Sequence, residues 1–153
     1  MKDTFKNYIA LLLIFVGVVV LLIYIKSWSN TYKEDKYSKS YLNGLVEEVK
    51  LSELEMSTKE MNEVFLLITK TNDKSVYKKE KKIYSNMKSM DLIDKFIYVD
   101  ITNDKDYLSK LNSILGNFSI KDLPTLLYIK NGEFVNVVED ITSVKEIKSE
   151  YQL

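Results

Sequence analysis

The chain has 153 residues, of which 46% are hydrophobic and 29% charged, and its 22 basic and 22 acidic residues give a formal net charge of zero. This length and composition suit one folded domain with a short appendage. Cysteine and histidine are absent, which excludes disulfides, thiolate chemistry, imidazole catalysis and nearly every kind of zinc site. Every basic residue is a lysine and no basic block occurs, so nucleic acid is a poor candidate partner.

An apolar stretch near the N-terminus has the properties of a transmembrane helix. Residues 8–25 carry no charge, and eighteen helical residues at about 1.5 Å each almost cross a hydrocarbon core of ~30 Å. Tyr8 and Trp28 lie at its edges, as aromatic residues do at membrane interfaces. A cleaved signal peptide and a buried core helix are the alternatives, but residues 26–30 offer a poor cleavage site. We therefore predict a short tail over residues 1–7 and a retained single-pass anchor over residues 8–25.

The lysines on the two sides of the apolar stretch bear on its orientation. Lys2 and Lys6 precede it, and a larger group of lysines follows it within residues 26–44. Counting these charges favours a cytoplasmic C-terminal domain. Residues 26–44 are polar, charged and rich in tyrosine without a clear period. We therefore predict a juxtamembrane stalk that ends at Gly44 and that could be partly helical, and a folded domain over residues 45–153.

The predicted domain alternates strands and helices. Residues 45–61 suggest a short strand or turn followed by a helix, and the continuous apolar run of residues 64–69 indicates a buried central strand. Residues 75–90 place apolar residues and tyrosines at helical spacing, and the opposite face of this helix is rich in lysine. Residues 96–101 predict a second strand, which is followed by a helix that Gly116 ends.

The next stretch holds the only proline of the chain and an Asn-Gly pair. Pro124 stands directly before the apolar run of residues 125–129, and Asn131 and Gly132 separate that run from residues 133–138. An Asn-Gly pair favours positive φ at both positions, and hence a tight two-residue hairpin turn. Proline is tolerated at the first residue of a strand and is often cis in a tight turn.

A last helix is predicted over residues 142–150, which completes the element order β-α-β-α-β-β-α. Strand-helix-strand units imply a parallel pair of strands, and the hairpin adds an antiparallel edge. The predicted fold class is therefore α/β, with a mixed sheet flanked by helices and one transmembrane helix preceding it.

Three stretches of the domain resemble the thioredoxin family. Residues 120–135, which read IKDLPTLLYIKNGEFV, are similar to the family's signature around its cis-proline. FIYVDITND resembles the strand ahead of the family's middle helix, and VFLLIT resembles its central strand. The resemblance covers roughly residues 45–153 and is strongest to membrane-anchored accessory proteins encoded with bacteriocins in Gram-positive bacteria. It implies a thioredoxin-like domain, which we expect at the cell membrane and outside the cytoplasm, against the lysine count.

The resemblance also indicates what this chain lacks. Counting on from the central strand, the family's redox cysteines fall at Lys74 and Tyr77, in Lys74-Ser75-Val76-Tyr77, and its buried acid falls on Ile68. Thiol-disulfide exchange needs an attacking thiolate. The resemblance therefore implies no catalytic residue, cofactor site or metal site in this chain.

What the resemblance leaves is an edge at which an extended peptide could bind. In the family, the residue before the cis-proline pairs with a substrate backbone, a form of strand addition that Leu123 could perform without cysteines. The residues of this predicted edge are Lys74, Ser75, Val76, Tyr77, Leu123, Pro124 and Asp140. The alternative is that Pro124 only sets the entrance of its strand.

Two further charged groups have simpler explanations. Five aspartates within residues 91–106 stand at predicted helix and strand ends, where solvation and helix dipoles account for them, and no calcium-loop spacing occurs. Lys78, Lys79, Lys81 and Lys82 could meet anionic lipid headgroups. A solvated helix face is the usual explanation of such a run.

Three functions are compatible with these observations to different degrees. The leading hypothesis is a non-catalytic, membrane-anchored adaptor in bacteriocin or peptide export, or in immunity, with the membrane and a protein or peptide as partners. The alternative is a structural subunit of a bacterial membrane or secretion complex, with the domain as a spacer. A thiol-disulfide oxidoreductase is not expected, because the chain has no cysteine.

Overall fold

The structure is a computed structural model and describes residues 2–116, 120–138 and 141–151. The elements in chain order are the helix α1 (Lys2–Tyr37), the strand β1 (Glu47–Glu48), the helix α2 (Leu54–Glu60), the strand β2 (Glu63–Thr69), the helix α3 (Lys74–Ser89), a 3-10 turn (Ile93–Lys95), the strand β3 (Phe96–Asp100), the helix α4 (Tyr107–Leu115), the strands β4 (Thr125–Lys130) and β5 (Glu133–Val138), and the helix α5 (Ile141–Tyr151). They divide into two units, Met1–Lys36 and Tyr37–Leu153.

The first unit is almost entirely the helix α1. Within it, Lys6–Tyr37 is long and apolar enough to cross a membrane by length and composition, and its most apolar window is fully exposed in the protein alone. A signal sequence near an N-terminus has the same properties. The helix continues through residues 26–37, so the first part of the predicted stalk is helical.

The second unit begins before the boundary that we expected. The sequence places the domain at residues 45–153, whereas the compact unit begins at Tyr37. The physical reason is that residues just before Gly44 are part of the packed structure. Leu42 is fully buried in the core, and Ser40 is only 8% exposed. Leu42 stands before the Asn43-Gly44 pair, which we interpreted as the end of the stalk, so its burial was not predicted.

The sheet confirms the predicted α/β fold class. Five strands lie in the order β1-β3-β2-β4-β5. The strand β2 pairs parallel with β3 and antiparallel with β4, and β4 pairs antiparallel with β5. The helix α3 connects the parallel strands β2 and β3, so the strand-helix-strand unit predicted from the sequence is present.

The core lies on both faces of the sheet, because the residues of β2 alternate between them. Phe65 and Leu67 belong to one apolar cluster, together with Met87 of α3. Leu66 and Ile68 belong to the other. Both sides of β2 are therefore covered, which explains why its sequence is a continuous apolar run.

The hairpin between β4 and β5 has the two-residue turn that the Asn-Gly pair predicts. Asn131 has a φ of 52° and Gly132 a φ of 79°. The backbone of Gly132 also approaches α2, since a Cβ built on it would lie 2.9 Å from Lys59 Cγ. Glycine satisfies both the positive φ and the close approach.

Candidate functional site

The candidate site begins where α3 starts, after the central strand β2. Asp73 is the N-cap residue, and its Oδ1 accepts hydrogen bonds from the backbone N–H groups of Ser75 at 2.8 Å and Val76 at 3.3 Å. Hydrogen bonds from Val76 and Ser75 hold the pKa of Asp73 below its ordinary value. This cap fixes Lys74 as the first residue of the helix and Tyr77 in its first turn.

The second part of the site is the loop that leads into β4. The Leu123–Pro124 peptide bond is cis, and β4 begins at the next residue, Thr125. The Thr125 hydroxyl donates a hydrogen bond to the backbone carbonyl of Asp122, which closes the loop on itself. Thr125 pairs with Ile68 of β2 as the first ladder position of β4. Leu123 therefore lies just outside the ladder and half-buried.

A surface cavity of about 370 Å³ joins these two parts. Its lining residues are Lys70, Asp73, Ser75, Val76, Tyr107, Ile120, Lys121, Asp122 and Leu123. Three residues of the predicted edge, Ser75, Val76 and Leu123, thus meet at one concave surface. Their proximity follows from the sheet, in which β2 and β4 are neighbours and the loops adjoining Thr69 and Thr125 meet at one end.

The other residues of the predicted edge have different surroundings. The ring of Tyr77 packs edge-on against Tyr37 and Tyr41, with centroids 5.2 and 5.4 Å apart. Lys74 is exposed and Pro124 is half-buried, but neither lines the cavity. Asp140 lies outside the described residues. Of the predicted edge residues that the structure describes, Ser75, Val76 and Leu123 line the cavity and Lys74, Tyr77 and Pro124 do not.

The chemistry of the cavity is mixed. Val76, Ile120, Leu123 and Tyr107 supply apolar surface, while two lysines and two aspartates supply both signs of charge. The nearest pair of these charges, Lys70 Nζ and Asp73 Oδ2, is 3.9 Å apart and largely solvated, so it contributes little. Within the part of the chain that the structure describes, no group of three ligand residues could hold a metal ion.

A buried acidic residue near the site, Glu80, was not predicted from the sequence. Glu80 of α3 is 1% exposed. Its Oε1 accepts hydrogen bonds from the hydroxyls of Ser40 at 2.8 Å and Thr69 at 2.6 Å, and its Oε2 accepts one from the Tyr41 N–H at 2.8 Å. Because the Glu80 carboxylate accepts all three of these hydrogen bonds, it fixes residues 40–42 to both α3 and the end of β2.

A signal for Glu80 exists in the sequence. Val76, Glu80, Ile83 and Met87 follow the i, i+4, i+7, i+11 spacing of the buried face of a helix. The surrounding run, KKEKK, reads instead as a solvated charged segment. The lysines around Glu80 therefore suggested an exposed residue, whereas the helical spacing predicts a buried one.

Comparisons with known proteins show the fold of the chain but assign it to no family. No family model and no curated protein matches the chain. Among solved structures, thioredoxin f2 of Chlamydomonas reinhardtii matches with a TM-score of 0.53 at 10% identity, covering 70% of this chain and 96% of that one. Mitochondrial thioredoxin 3 of Saccharomyces cerevisiae matches with a TM-score of 0.50 at 14% identity, covering 75% and 100%. The fold is thioredoxin-like. At such low identity the likeness describes the fold alone.

A third solved structure gives the same result. It comes from work on the thiol resolving mechanism in yeast mitochondrial 1-Cys peroxiredoxin via glutathione/thioredoxin systems, and it matches with a TM-score of 0.52 at 12% identity. The alignment covers 73% of this chain and 99% of that one. The thioredoxin-like fold of this chain thus places Lys74, Ser75, Val76 and Tyr77 in the first turn of the helix that follows its central strand.

Proposed function

We propose that this protein is a non-catalytic, membrane-anchored adaptor that binds an extended segment of a polypeptide at the cavity between the start of α3 and Leu123. The observation that carries the proposal is the meeting of Ser75, Val76 and Leu123 at one concave surface in a chain without cysteine. A thioredoxin-like surface without a thiolate can bind but cannot exchange disulfides.

The mode of binding that fits this cavity is backbone pairing with one apolar contact. Leu123 precedes the β4 ladder, so its peptide groups lie where an extended chain could approach, and Val76 and Ile120 line the same cavity. Main-chain hydrogen bonds supply affinity in such complexes, and pockets for side chains supply selectivity. Bacteriocin or peptide export, or immunity to such a peptide, is the setting that the resemblance supports.

A filled-cavity variant tests the binding surface. The full chain, in lipid nanodiscs, is titrated against a panel of fluorescent unstructured 12-residue peptides of acidic, basic and apolar composition, followed by anisotropy. We expect the apolar members to bind, and Ser75→Trp to weaken that binding at least tenfold by blocking the cavity. Ser89→Trp, on an exposed serine at the far end of α3, is the matched control. Absence of binding to the whole panel, or equal binding by the two variants, would contradict the proposal.

The anchored location needs a separate test, because a signal sequence shares the properties of α1. The chain has no cysteine, so one introduced at the exposed Lys145 is the only thiol. Labelling of intact cells by an impermeant maleimide, with the full-length chain in the membrane fraction, is the result expected for an anchored domain outside the cytoplasm. Labelling only after lysis would reverse the orientation, and a shortened soluble chain would indicate cleavage.

One observation favours the alternative role of a structural subunit. Glu80 fixes residues 40–42 to the domain, so the compact unit begins directly after α1, and a short link suits a spacer. Replacement of residues 6–30 by an unrelated transmembrane helix distinguishes the two roles. An adaptor keeps its peptide binding and its cellular function after the exchange, whereas a subunit that assembles through α1 loses its place in the complex.

A further inference from the structure

One face of α3 is rich in lysine and carries no acidic residue. Its residues share a side of the helix at about 100° per residue, and they are Lys74, Lys78, Lys81, Lys82 and Lys88. All of them are exposed. The single acid of the helix, Glu80, lies among the buried residues instead. We call these residues the lysine face of α3.

The lysine face has no counter-charge from the rest of the described chain. Lysines elsewhere form ion pairs, as Lys95 and Lys130 do with Glu63 at 3.1 and 3.2 Å, whereas no lysine of this face pairs with a described residue. Like charges four residues apart, such as Lys74 and Lys78, destabilise a helix. In a chain with a net charge of zero, this concentration of positive charge favours an external anionic surface.

The chain enters the compact unit beside this helix. Tyr37 is the first residue of that unit and the last of α1. Its ring contacts Tyr77 of α3 at 5.2 Å, and its carbonyl accepts a hydrogen bond of 2.7 Å from the N–H of Asn72, directly before α3. The start of α3 thus contacts Tyr37 within the compact unit, and residues 26–36 separate Tyr37 from the apolar run of residues 8–25.

We propose that the lysine face of α3 binds the headgroups of anionic lipids in the membrane that holds the same chain. The inference rests on the anchoring part of the proposed function. A tether makes the second contact intramolecular, so lysines that bind weakly alone hold the domain at the surface. Clusters of four to eight lysines on an amphipathic helix are a charge pattern that anionic lipid surfaces attract, and α3 is such a helix.

The residue types favour a lipid surface over a phosphorylated or acidic protein. Bidentate recognition of single phosphate or carboxylate groups uses the planar fork of arginine, and this chain has no arginine. Lysine is a mobile point charge that suits the diffuse potential of a leaflet.

The consequence for the domain is a fixed orientation. With the lysine face on the bilayer, α3 lies along the surface, and the cavity at its first turn stays at a constant distance from the lipid. A peptide leaving or approaching the membrane would then meet Leu123 in one defined direction.

A single label on the lysine face tests the inference. Ser85 is exposed between Lys81 and Lys88 on the same face, and Ser85→Cys carries an environment-sensitive fluorophore in the full chain. The protein is reconstituted into liposomes of phosphatidylcholine alone or with one quarter phosphatidylglycerol, and a headgroup-bound quencher reports proximity. We expect at least twofold stronger quenching with phosphatidylglycerol, and its loss in high salt, because salt screens exposed charges. A label at the exposed Ser113 of α4 should show neither effect.

Charge variants make the test specific. Lys78→Gln, Lys81→Gln and Lys82→Gln together should abolish the lipid-dependent quenching, since each lysine near an anionic surface contributes about a fivefold preference. The matched control removes the same charge from exposed lysines elsewhere, at Lys50, Lys105 and Lys145. The control should keep the quenching, and both triple variants should keep the far-ultraviolet circular dichroism of the parent.

The outcomes separate this inference from the anchor. Flotation of the chain with both kinds of liposome in high salt, without lipid-dependent quenching, would overturn the inference and leave the anchor in place. Flotation only with phosphatidylglycerol and only in low salt would support the lysine face and overturn the anchor. Equal quenching in the two lipids, or equal loss in the two triple variants, would also count against the lysine face.

Discussion

The first turn and the middle of α3 have opposite surroundings, although they are only one or two turns apart. At the first turn, Lys74 and Ser75 are exposed and the backbone is held by the Asp73 cap. In the middle, Glu80 is buried and accepts hydrogen bonds from two hydroxyls and one backbone N–H. The buried polar contacts therefore stabilise the attachment of residues 40–42, and the cavity side of the helix remains open.

This difference indicates how the site can work without a reactive group. A surface whose side chains are not engaged in buried networks can exchange water for a partner at low cost. The rigid network behind it holds α3 against β2, so the position of Ser75 and Val76 relative to Leu123 is fixed. Preorganised backbone reduces the ordering cost of binding. The comparison predicts that stability resides in the middle of α3 and binding in its first turn.

The largest expected effect is the loss of stability in Glu80→Leu. Leucine has a similar volume but no acceptor, so the Tyr41 N–H and the hydroxyls of Ser40 and Thr69 are left without their buried partner. We expect a decrease of about 3 kcal/mol in the free energy of unfolding. The measurement is urea unfolding of the full chain in mild detergent, followed by tyrosine near-ultraviolet circular dichroism.

Glu80→Gln is the matched control for this substitution. Its Oε1 can accept from the Tyr41 N–H, and its amide can donate to hydroxyl oxygens of Ser40 and Thr69, since hydroxyls both donate and accept. Glutamine should therefore retain most of the stability. Equal losses in the two variants would mean that the negative charge, rather than the number of hydrogen bonds, matters. No loss in either would contradict the role that we give to Glu80.

The second largest effect is expected at Tyr77, where the two regions adjoin. Tyr77→Ala removes the edge-on contacts with Tyr37 and Tyr41, and we expect a decrease of about 2 kcal/mol in the free energy of unfolding. Phenylalanine should retain most of these ring contacts. Because Tyr77 does not line the cavity, the affinity of Tyr77→Phe for the apolar peptides should equal that of the parent. A tenfold weaker affinity would place this ring in the binding surface instead.

The same division explains how much the sequence alone could predict. The β2 run and the Asn131-Gly132 turn were recognised because burial on both faces and positive φ each require particular residues locally. Leu42 was not recognised because it is buried through contacts with distant parts of the chain, and Glu80 was not recognised because the lysines around it suggested a solvated segment. Of the site, the sequence located Ser75, Val76 and Leu123 through the resemblance.

Asp73, Tyr107 and Lys70 show which residues of the site a sequence can predict and which it cannot. An aspartate before a helix is a recognisable N-cap, so Asp73 could have been predicted. Tyr107 and Lys70 could not, because they reach the cavity from α4 and from the end of β2 only once the sheet has formed. Residue type predicts a cap, whereas a cavity depends on the arrangement of several elements.

A smaller effect, with a defined pH dependence, is expected at Asp73. Its folded pKa lies below the ordinary value of 3.8 because Val76 and Ser75 donate to the carboxylate. Its contribution to stability is therefore present above pH ~4 and is lost as the pH falls through the folded pKa. Asparagine caps a helix about as well but does not titrate. The difference in urea midpoint between the parent and Asp73→Asn should be constant from pH 5 to 7. Below pH 4 the midpoint of the parent should fall relative to that of Asp73→Asn.

The smallest effect is expected at Lys74, and its sign is informative. Lys74 is the first residue of α3 and Lys88 lies in its last turn, so the helix dipole disfavours the first charge and favours the second. Lys74→Gln should stabilise the chain by about 0.3 kcal/mol, and Lys88→Gln should destabilise it by a similar amount. Both midpoints are measured in one urea series. Destabilisation by Lys74→Gln would mean that the first turn contributes to stability after all. Stabilisation would instead show that the chain keeps an unfavourable charge at the edge of its cavity, as expected if that charge contacts an anion or a partner.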